Sequence, residues 1–275
     1  MGWRATSYSA CMQTAAMGTA QHGLVHSVFT AAANILFPNN LLLSLNTASS
    51  ARMPNGIALS VPAGTPRFSA LRPGMPVLFG AQHLTIDAIK CSLDLSHCPT
   101  WNPHIEHPEK LDLHVVKKNG EWLGKYILSW PSSYWYPSDS GCQGVTRFPS
   151  ILHMAQHLCG RGIGLTPAGD DMLAGWMAIG WLLYGPEPGF LAACQQIVEV
   201  AKQQTHLLSQ RWLGYAAKGN VAEPIGRLLD AMTRDDEAQL AACAKAVLAM
   251  GATSGRDVIQ GILLAAAKFT IMMAM

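Results

Sequence analysis

The apolar residues of this chain change their period once, and that change limits the folds open to it. From Leu24 to about Trp130 they fall in short runs: "LVHSVF", "LLLSL", "IALSV", "PVLFG", "LTIDAI", "LDLHVV" and "KYILSW". The runs are cut by "FPNN", "MPNG", "VPAGTP" and "RPGMP". Short runs punctuated by Gly, Pro and Asn predict β-strands in a compact sheet or barrel. The alternation in "LTIDAI" and "LDLHVV" predicts strands with one wet face. "AAANIL" fits either a strand or a helical turn. From Phe148 onward Phe148, Ile151, Leu152, Ala155, Leu158 and Cys159 recur at three- and four-residue spacing, which is the period of a helix face.

Further helices follow the same logic. One opens at Thr166-Pro167, with Thr as N-cap and Pro at the first helical position. A long amphipathic helix runs through Phe190, Leu191, Cys194, Ile197, Val198, Ala201, Leu208 and Trp212 to near Gly219. Two more span about Pro224 to Met232 and about Asp236 to Met250, and the last opens after "GATSG". The chain therefore reads as α+β: a β-rich N-terminal half, sheet or small barrel, over 1–140, then an all-helical half over 141–275. The segment "YPSDSGCQG" at 136–144 is the expected connection.

Composition narrows the function. With 275 residues the chain can bury a sizeable core. Charged residues make up only 13% against 49% hydrophobic, so a partner subunit, or a second copy of the chain, is expected to cover part of the surface. A net charge of +2 and the absence of any Lys/Arg run leave nothing to track phosphates of a nucleic acid. The seven cysteines are scattered without paired spacing, and several occupy apolar helix positions, as in a reduced cytoplasmic protein. The longest uncharged apolar run, Met172 to Gly185, is too short to span a bilayer. The opening "MGWRAT" meets the myristoylation pattern only nominally, with no polybasic support.

The chemistry concentrates in "RGIGLTPAGDDMLAG", 161–175. Gly160, Gly162 and Gly164 crowd a loop beside the N–H groups of a helix start, which is anion-binding hardware. Asp170 and Asp171 sit at the same end, where acids favour the helix dipole but compete with an incoming anion. A Mg²⁺ ion held by Asp170 and Asp171 would resolve the conflict. So would neutralisation of one charge by Arg161, or a catalytic-base role for one Asp. A second block, "GATSGRDVIQG" at 251–261, repeats the plan: with a one-residue gap Gly164, Thr166, Asp171 and Gly175 correspond to Gly251, Thr253, Asp257 and Gly261. Two well-capped helices would explain this, since Ser254 and Asp257 have capping-box spacing. So would two acid-tipped helix starts around one pocket. Gly175 and Gly261, inside helices, predict close helix packing. Thr205 and Ser209, four apart on the long helix, share a face and could lend hydroxyls.

Other groupings are weaker. Cys98, His97, His104, Glu106, His107 and His114 are metal-ligand types, and His104-x-x-His107 could hold zinc. Pro interruptions and the lack of a paired Cys motif favour a polar loop. His26-Ser27 lies on an expected strand without a nearby acid. Trp101, Trp122, Trp130 and Trp135 are expected to cover the core of the β half. No nucleophile elbow, phosphate-binding P-loop or dinucleotide fingerprint is present in the sequence.

At "GIGLTPAGDDMLAG" the chain resembles the AllH-like family, whose signature is Gly-x-Gly-Leu-Thr-Pro-x-Gly-Asp-Asp-x-Leu-x-Gly. Gly162, Gly164, Leu165, Thr166, Pro167, Gly169, Asp170, Asp171, Leu173 and Gly175 match it. "GATSGRDVIQG" resembles the family's Thr-Ser-Gly-x-Asp block, and Thr205 and Ser209 fall where it has a Thr-Ser pair. The resemblance implies a cytoplasmic subunit of oxamate carbamoyltransferase in anaerobic allantoin breakdown. That enzyme would turn oxalurate and phosphate into oxamate and carbamoyl phosphate, with a partner subunit similar to acyl-CoA synthetases. The Ser-Thr-Arg-Thr loop of aspartate- and ornithine-type carbamoyltransferases is not reproduced by "SSARM" at 49–53, so different machinery is required. Asp170, Asp171 and Asp257 are then the candidate catalytic acids. Arg161, Gly162, Gly164, Thr166, Thr253, Ser254, Thr205 and Ser209 are the candidate binders of substrate and phosphate. A metal-dependent hydrolase of the ADP-ribosylglycohydrolase kind and a non-catalytic scaffold remain the alternatives.

Overall fold

A computed structural model describes residues 2–38, 40–62, 68–128 and 148–272, with side chains as far as 266. The chain divides into two compact units, Met1–Pro103 and His104–Met275. The first is built on β1 (Arg4–Ser9), α1 (Gln13–Met17), β2 (Gln21–Val28), β3 (Ala32–Leu36), β4 (Leu42–Thr47), β5 (Gly56–Ser60), β6 (Pro76–Gly80), β7 (His83–Ile86), β8 (Cys91–Asp94) and β9 (Thr100–Trp101). "AAANIL" is thus a strand. The nine strands form one sheet in the order β8-β7-β6-β2-β3-β4-β5-β1-β9. Among the described residues only β4–β5 and β1–β9 are parallel pairs. The sheet curls into a half-barrel, with β8 reaching back to β1.

Alternation places the core. Leu43, Leu45, Ile57, Leu59, Val77, Phe79, Leu84, Ile86 and Leu93 fill the concave interior, and Trp3 meets Phe68 edge-on at 5.4 Å. The opposite face of the central strands carries a polar row: Asn34 donates to Ser27 Oγ at 3.1 Å and accepts from Ser44 at 2.9 Å. His26 is exposed beside that row.

The second unit contains α2 (Leu113–Leu128), α3 (Ile151–Leu158), α4 (Ala168–Tyr184), α5 (Pro188–Gln204), α6 (Leu207–Ala216), α7 (Glu223–Met232), α8 (Glu237–Leu248) and α9 (Ser254–Met272). Three expectations change here. "LDLHVV" and "KYILSW" supply a helix, α2, not two strands. Their apolar residues Val116, Leu123 and Ile127 bury one helical stripe, which the short runs disguise. Trp122 accordingly stacks on Tyr126 within α2 instead of covering a sheet. The units therefore divide at Pro103, well before 136–144, a segment that with Trp130 and Trp135 lies outside the described residues.

The third change is a break in the long amphipathic helix. It stops at Gln204, Thr205 is extended (φ −130°, ψ 175°), and α6 begins at Leu207. At the centre lies α4, buried from Gly169 to Leu182 except at Ala174, with α9 packed along it. Its far end is covered by the His-rich segment. The Ile105 amide donates to Gly219 O at 2.8 Å, His107 Nδ1 lies 2.8 Å from Leu182 O, and His104 meets the Trp181 ring at 5.3 Å. Those histidines are engaged in packing, and among the described residues no His, Cys, Asp and Glu groups are arranged to hold a metal.

Candidate active site

The site is built at the start of α4. Pro167, not Thr166, is the N-cap; it is extended (φ −55°, ψ 146°) and caps with no side chain. Its carbonyl takes the amides of Asp170 and Asp171 at 2.9 and 3.2 Å. With Pro outside the helix, the Thr166 hydroxyl is released from capping and lies 3.3 Å from Ser254 Oγ at the start of α9. Both acids fall in the first turn, where the dipole favours a negative charge. Yet Asp170 is 2% exposed and Asp171 6%, so burial opposes that charge.

Asp170 resolves the conflict with donors. The Gly160 amide gives Oδ1 a hydrogen bond of 2.9 Å, and the Thr205 hydroxyl donates to Oδ2. Burial still holds its pKa above the ordinary value, against Thr205, Gly160 and Ser209 and the nearby His206. The neighbouring Cys159 thiol is pushed up to about 12, by burial first and by Asp170 second, which makes it inert as a nucleophile. The break between α5 and α6 is what aims Thr205 at Asp170. Gly160 must be glycine there: its φ is +71° and a Cβ would lie 2.2 Å from the Gln204 carbonyl. Ser209, on α6, donates to Leu165 O at 3.3 Å. Thr205 and Ser209 do not share one helix, as the periodicity suggested, but both hydroxyls act on Asp170.

Asp171 and Asp257 face each other from the two helix starts. Burial pushes Asp171 up to about 8, reinforced by the charges of Asp257 and Asp170 and opposed by the Ser254 and Thr166 hydroxyls. Its Oδ2 is buried with no hydrogen-bond partner among the described residues. Asp257, 7% exposed, is pushed up to about 6 by burial, against the Thr253 hydroxyl and Arg256. A bare buried carboxylate costs several kcal/mol, so Asp171 carries a proton near neutrality and holds it to a higher pH than Asp257 does.

The two motif blocks are related in space as well as in sequence. A Cβ on Gly175 would lie 2.0 Å from Val258 O, and one on Gly261 would lie 1.9 Å from Met172 O. Each glycine thus lets the other helix's backbone through, at the residue that follows the partner's Asp. The pattern continues at the first turns: a Cβ on Gly169 would strike Leu158 O at 2.0 Å, at the end of α3, and one on Gly255 would strike Val247 O at 1.8 Å, near the end of α8. Thr253 O accepts from the Arg256 and Asp257 amides as Pro167 O does from Asp170 and Asp171. α3–α4 and α8–α9 are therefore two copies of one helix–turn–helix plan, crossing at paired glycines. Structure moves the gap in the alignment: Pro167, not Thr166, is the counterpart of Thr253.

Loop 161–166 leads into α4 and meets the start of α9 through Thr166 and Ser254. Gly162 (φ +120°) and Gly164 (φ +92°) turn it, and Arg161, Gly162, Ile163, Gly164 and Leu165 are exposed. Among the described residues the amides of 162–166 donate to no backbone carbonyl. Arg161 does not neutralise the acids; the side chain whose charge bears on Asp170 is His206. The sequence reading gave no bonding or packing role to Gly160, Gly169 or Gly255. The last two were within reach, since each stands two residues before its block's last Asp.

Two buried helix starts joined through hydroxyls bring three acids with raised pKa values together, which makes this the candidate site of the chain. The family model described as oxamate carbamoyltransferase subunit AllH matches residues 158–266, from the end of α3 into α9, and the AllH family N-terminal domain matches residues 4–100. The chain belongs to the AllH family. No solved structure matches it. Among the described residues no helix is long and apolar enough to cross a membrane.

Proposed function

We propose that this chain holds the transfer site of an oxamate carbamoyltransferase, which converts oxalurate and phosphate into oxamate and carbamoyl phosphate in the cytoplasm during anaerobic allantoin breakdown. The observation that carries the reading is the joined pair of helix starts, where Asp171 keeps an unpartnered oxygen beneath Thr166 and Ser254. The unused amides of 162–166 suit the oxygens of phosphate or of the oxalurate carboxylate, next to the positive end of α4. Low charge on the surface accords with other carbamoyltransferase subunits covering part of it, one of them resembling acyl-CoA synthetases.

Mg²⁺ at the Asp170–Asp171 pair fits the donors poorly. Both Asp170 oxygens already accept from Gly160 and Thr205, so the pair leaves only Asp171 Oδ2 to offer a cation. The reading therefore rests on acid–base chemistry by side chains. The same feature weighs against a hydrolase that uses this pair as a metal clamp. The test is phosphate-dependent loss of oxalurate, with carbamoyl phosphate detected, in a mixture of the partner subunits with and without this chain. A requirement for this chain, abolished by Asp171→Asn without loss of folding, supports the reading. Equal turnover without it would make the chain an accessory scaffold.

A further inference from the structure

The three acids of the site are not equivalent. Asp170 has both oxygens occupied by donors that tie loop and helix ends together. Asp171 has a buried oxygen with no partner, and it lies under two half-buried hydroxyls only 3.3 Å apart. Asp257 approaches from the opposite helix start, held by Thr253. Residues 161–165 and 251–252, next to Thr166 and Ser254 in the chain, are exposed.

We infer that Asp171 and Asp257 divide the two proton transfers of carbamoyl transfer, Asp171 giving a proton to the departing oxamate nitrogen and Asp257 taking one from the attacking phosphate, while Asp170 only positions the loop. The inference rests on the transferase reading above. An oxygen of hydrogen phosphate attacks the carbamoyl carbon of oxalurate and loses its proton to Asp257. The bond from that carbon to the imide-like nitrogen breaks. Its electron pair stays on nitrogen, which takes the Asp171 proton and leaves as the amide of oxamate. Phosphate has lost one proton and oxamate gained one, so the pair is restored by passing the Asp257 proton back to Asp171.

The protonation states agree with the geometry. Asp171 faces Asp170 on its own helix and Asp257 from α9, and these charges add to burial in keeping its proton. Asp257 faces Arg256 on its own helix and loses its proton at lower pH, about 6 against about 8. His206 and Cys159 face Asp170. Near pH 7 one acid is ready to give and the other to take, which is how unlike environments assign acid and base roles.

The experiment compares two carbamoyl donors in the assembled enzyme: oxalurate, whose nitrogen needs a proton to leave, and 4-nitrophenyl carbamate, whose phenolate does not. Asp171→Asn is expected to lose about 10²- to 10⁴-fold with oxalurate and less than about tenfold with the aryl carbamate. Asp257→Asn is expected to lose rate with both, because phosphate attacks in both. In the unaltered enzyme kcat/KM for oxalurate should fall above pH about 8, and that limb should be missing with the aryl carbamate. This second readout needs no variant to fold. Equal losses on both donors in Asp171→Asn, or the same alkaline limb with both, would overturn the assignment. Failure of the unaltered enzyme to make carbamoyl phosphate from either donor would instead overturn the transferase reading itself.

Discussion

The Thr166 hydroxyl lies 3.3 Å from the Ser254 hydroxyl, so one residue of each glycine–acid block closes the space above the buried acids. Both hydroxyls lower the Asp171 pKa against its burial. Thr166→Val and Ser254→Ala should each raise it further and move the alkaline limb of activity upward. Because the two groups touch, the double variant should shift it by a different amount from the sum of the singles. Simple addition in the pH profiles would show that the hydroxyls act independently of one another.

The paired glycines make a test of the crossing. An exposed helix interior gains about 1 kcal/mol when Gly becomes Ala. At Gly175 and Gly261 the added carbon would sit 2.0 and 1.9 Å from backbone oxygens of the other helix, and backbone cannot swing aside. Each substitution should therefore destabilise, by about 2–4 kcal/mol, the reverse of the propensity effect. Combining them should cost less than the sum, since the first already separates the helices. Denaturant unfolding of the three variants decides it, and a stabilised Gly175→Ala would refute the crossing.

Much of this crossing was legible in the sequence, because its cause is local: two blocks of Gly-x-Thr, Gly and Asp, each with a glycine four residues after its last acid. The gap was misplaced because Thr166 looks like an N-cap, and only the extended Pro167 reveals that its hydroxyl is needed elsewhere. The break at Thr205 was hidden for a similar reason. The apolar stripe runs on through α5 and α6, while the interruption comes from a tertiary bond between Thr205 and Asp170. In the first unit the β6–β7 turn carries no Asn-Gly signal. Ala81 and Gln82 adopt positive φ of 47° and 61°. Their amides are held by the carbonyls of Gly18 and Ala16, at 2.6 and 2.7 Å, near the end of α1. Long-range backbone bonds fix that conformation, and no local rule announces them.

Thr205 can be tested apart from chemistry. Thr205→Val keeps the side-chain shape and removes the donor to Asp170, leaving a buried carboxylate oxygen short of a partner. A loss of about 1–3 kcal/mol is expected at neutral pH. Asp170 should then hold its proton more strongly, so the loss should shrink as the pH falls and the carboxyl is protonated in both proteins. Thr205→Ser, which keeps the hydroxyl, should recover most of the stability. Equal stability of the Val and Ser variants from pH 5 to 8 would mean that the bond contributes nothing.

Stability against pH gives the most direct reading of Asp171. A carboxyl raised from 3.8 to about 8 by folding binds a proton in the folded chain that the unfolded chain has released. Its contribution is fully present below pH about 4 and is lost as the pH rises through about 8, at a slope of about 1.4 kcal/mol per pH unit. Asp257, raised to about 6, adds the same sign of slope over the lower part of that window. The thermal midpoint should therefore fall from pH 5 to pH 8, opposite to the trend set by salt-bridged acids. Asp171→Asn replaces the group with one that never ionises, so it should flatten the curve between pH 6 and 8. It should also leave the variant more stable than the parent at pH 8, even though the same substitution removes activity. Parallel curves for the two proteins would show that Asp171 is ionised in the folded state throughout, and a buried proton donor at the α4–α9 crossing would have to be abandoned.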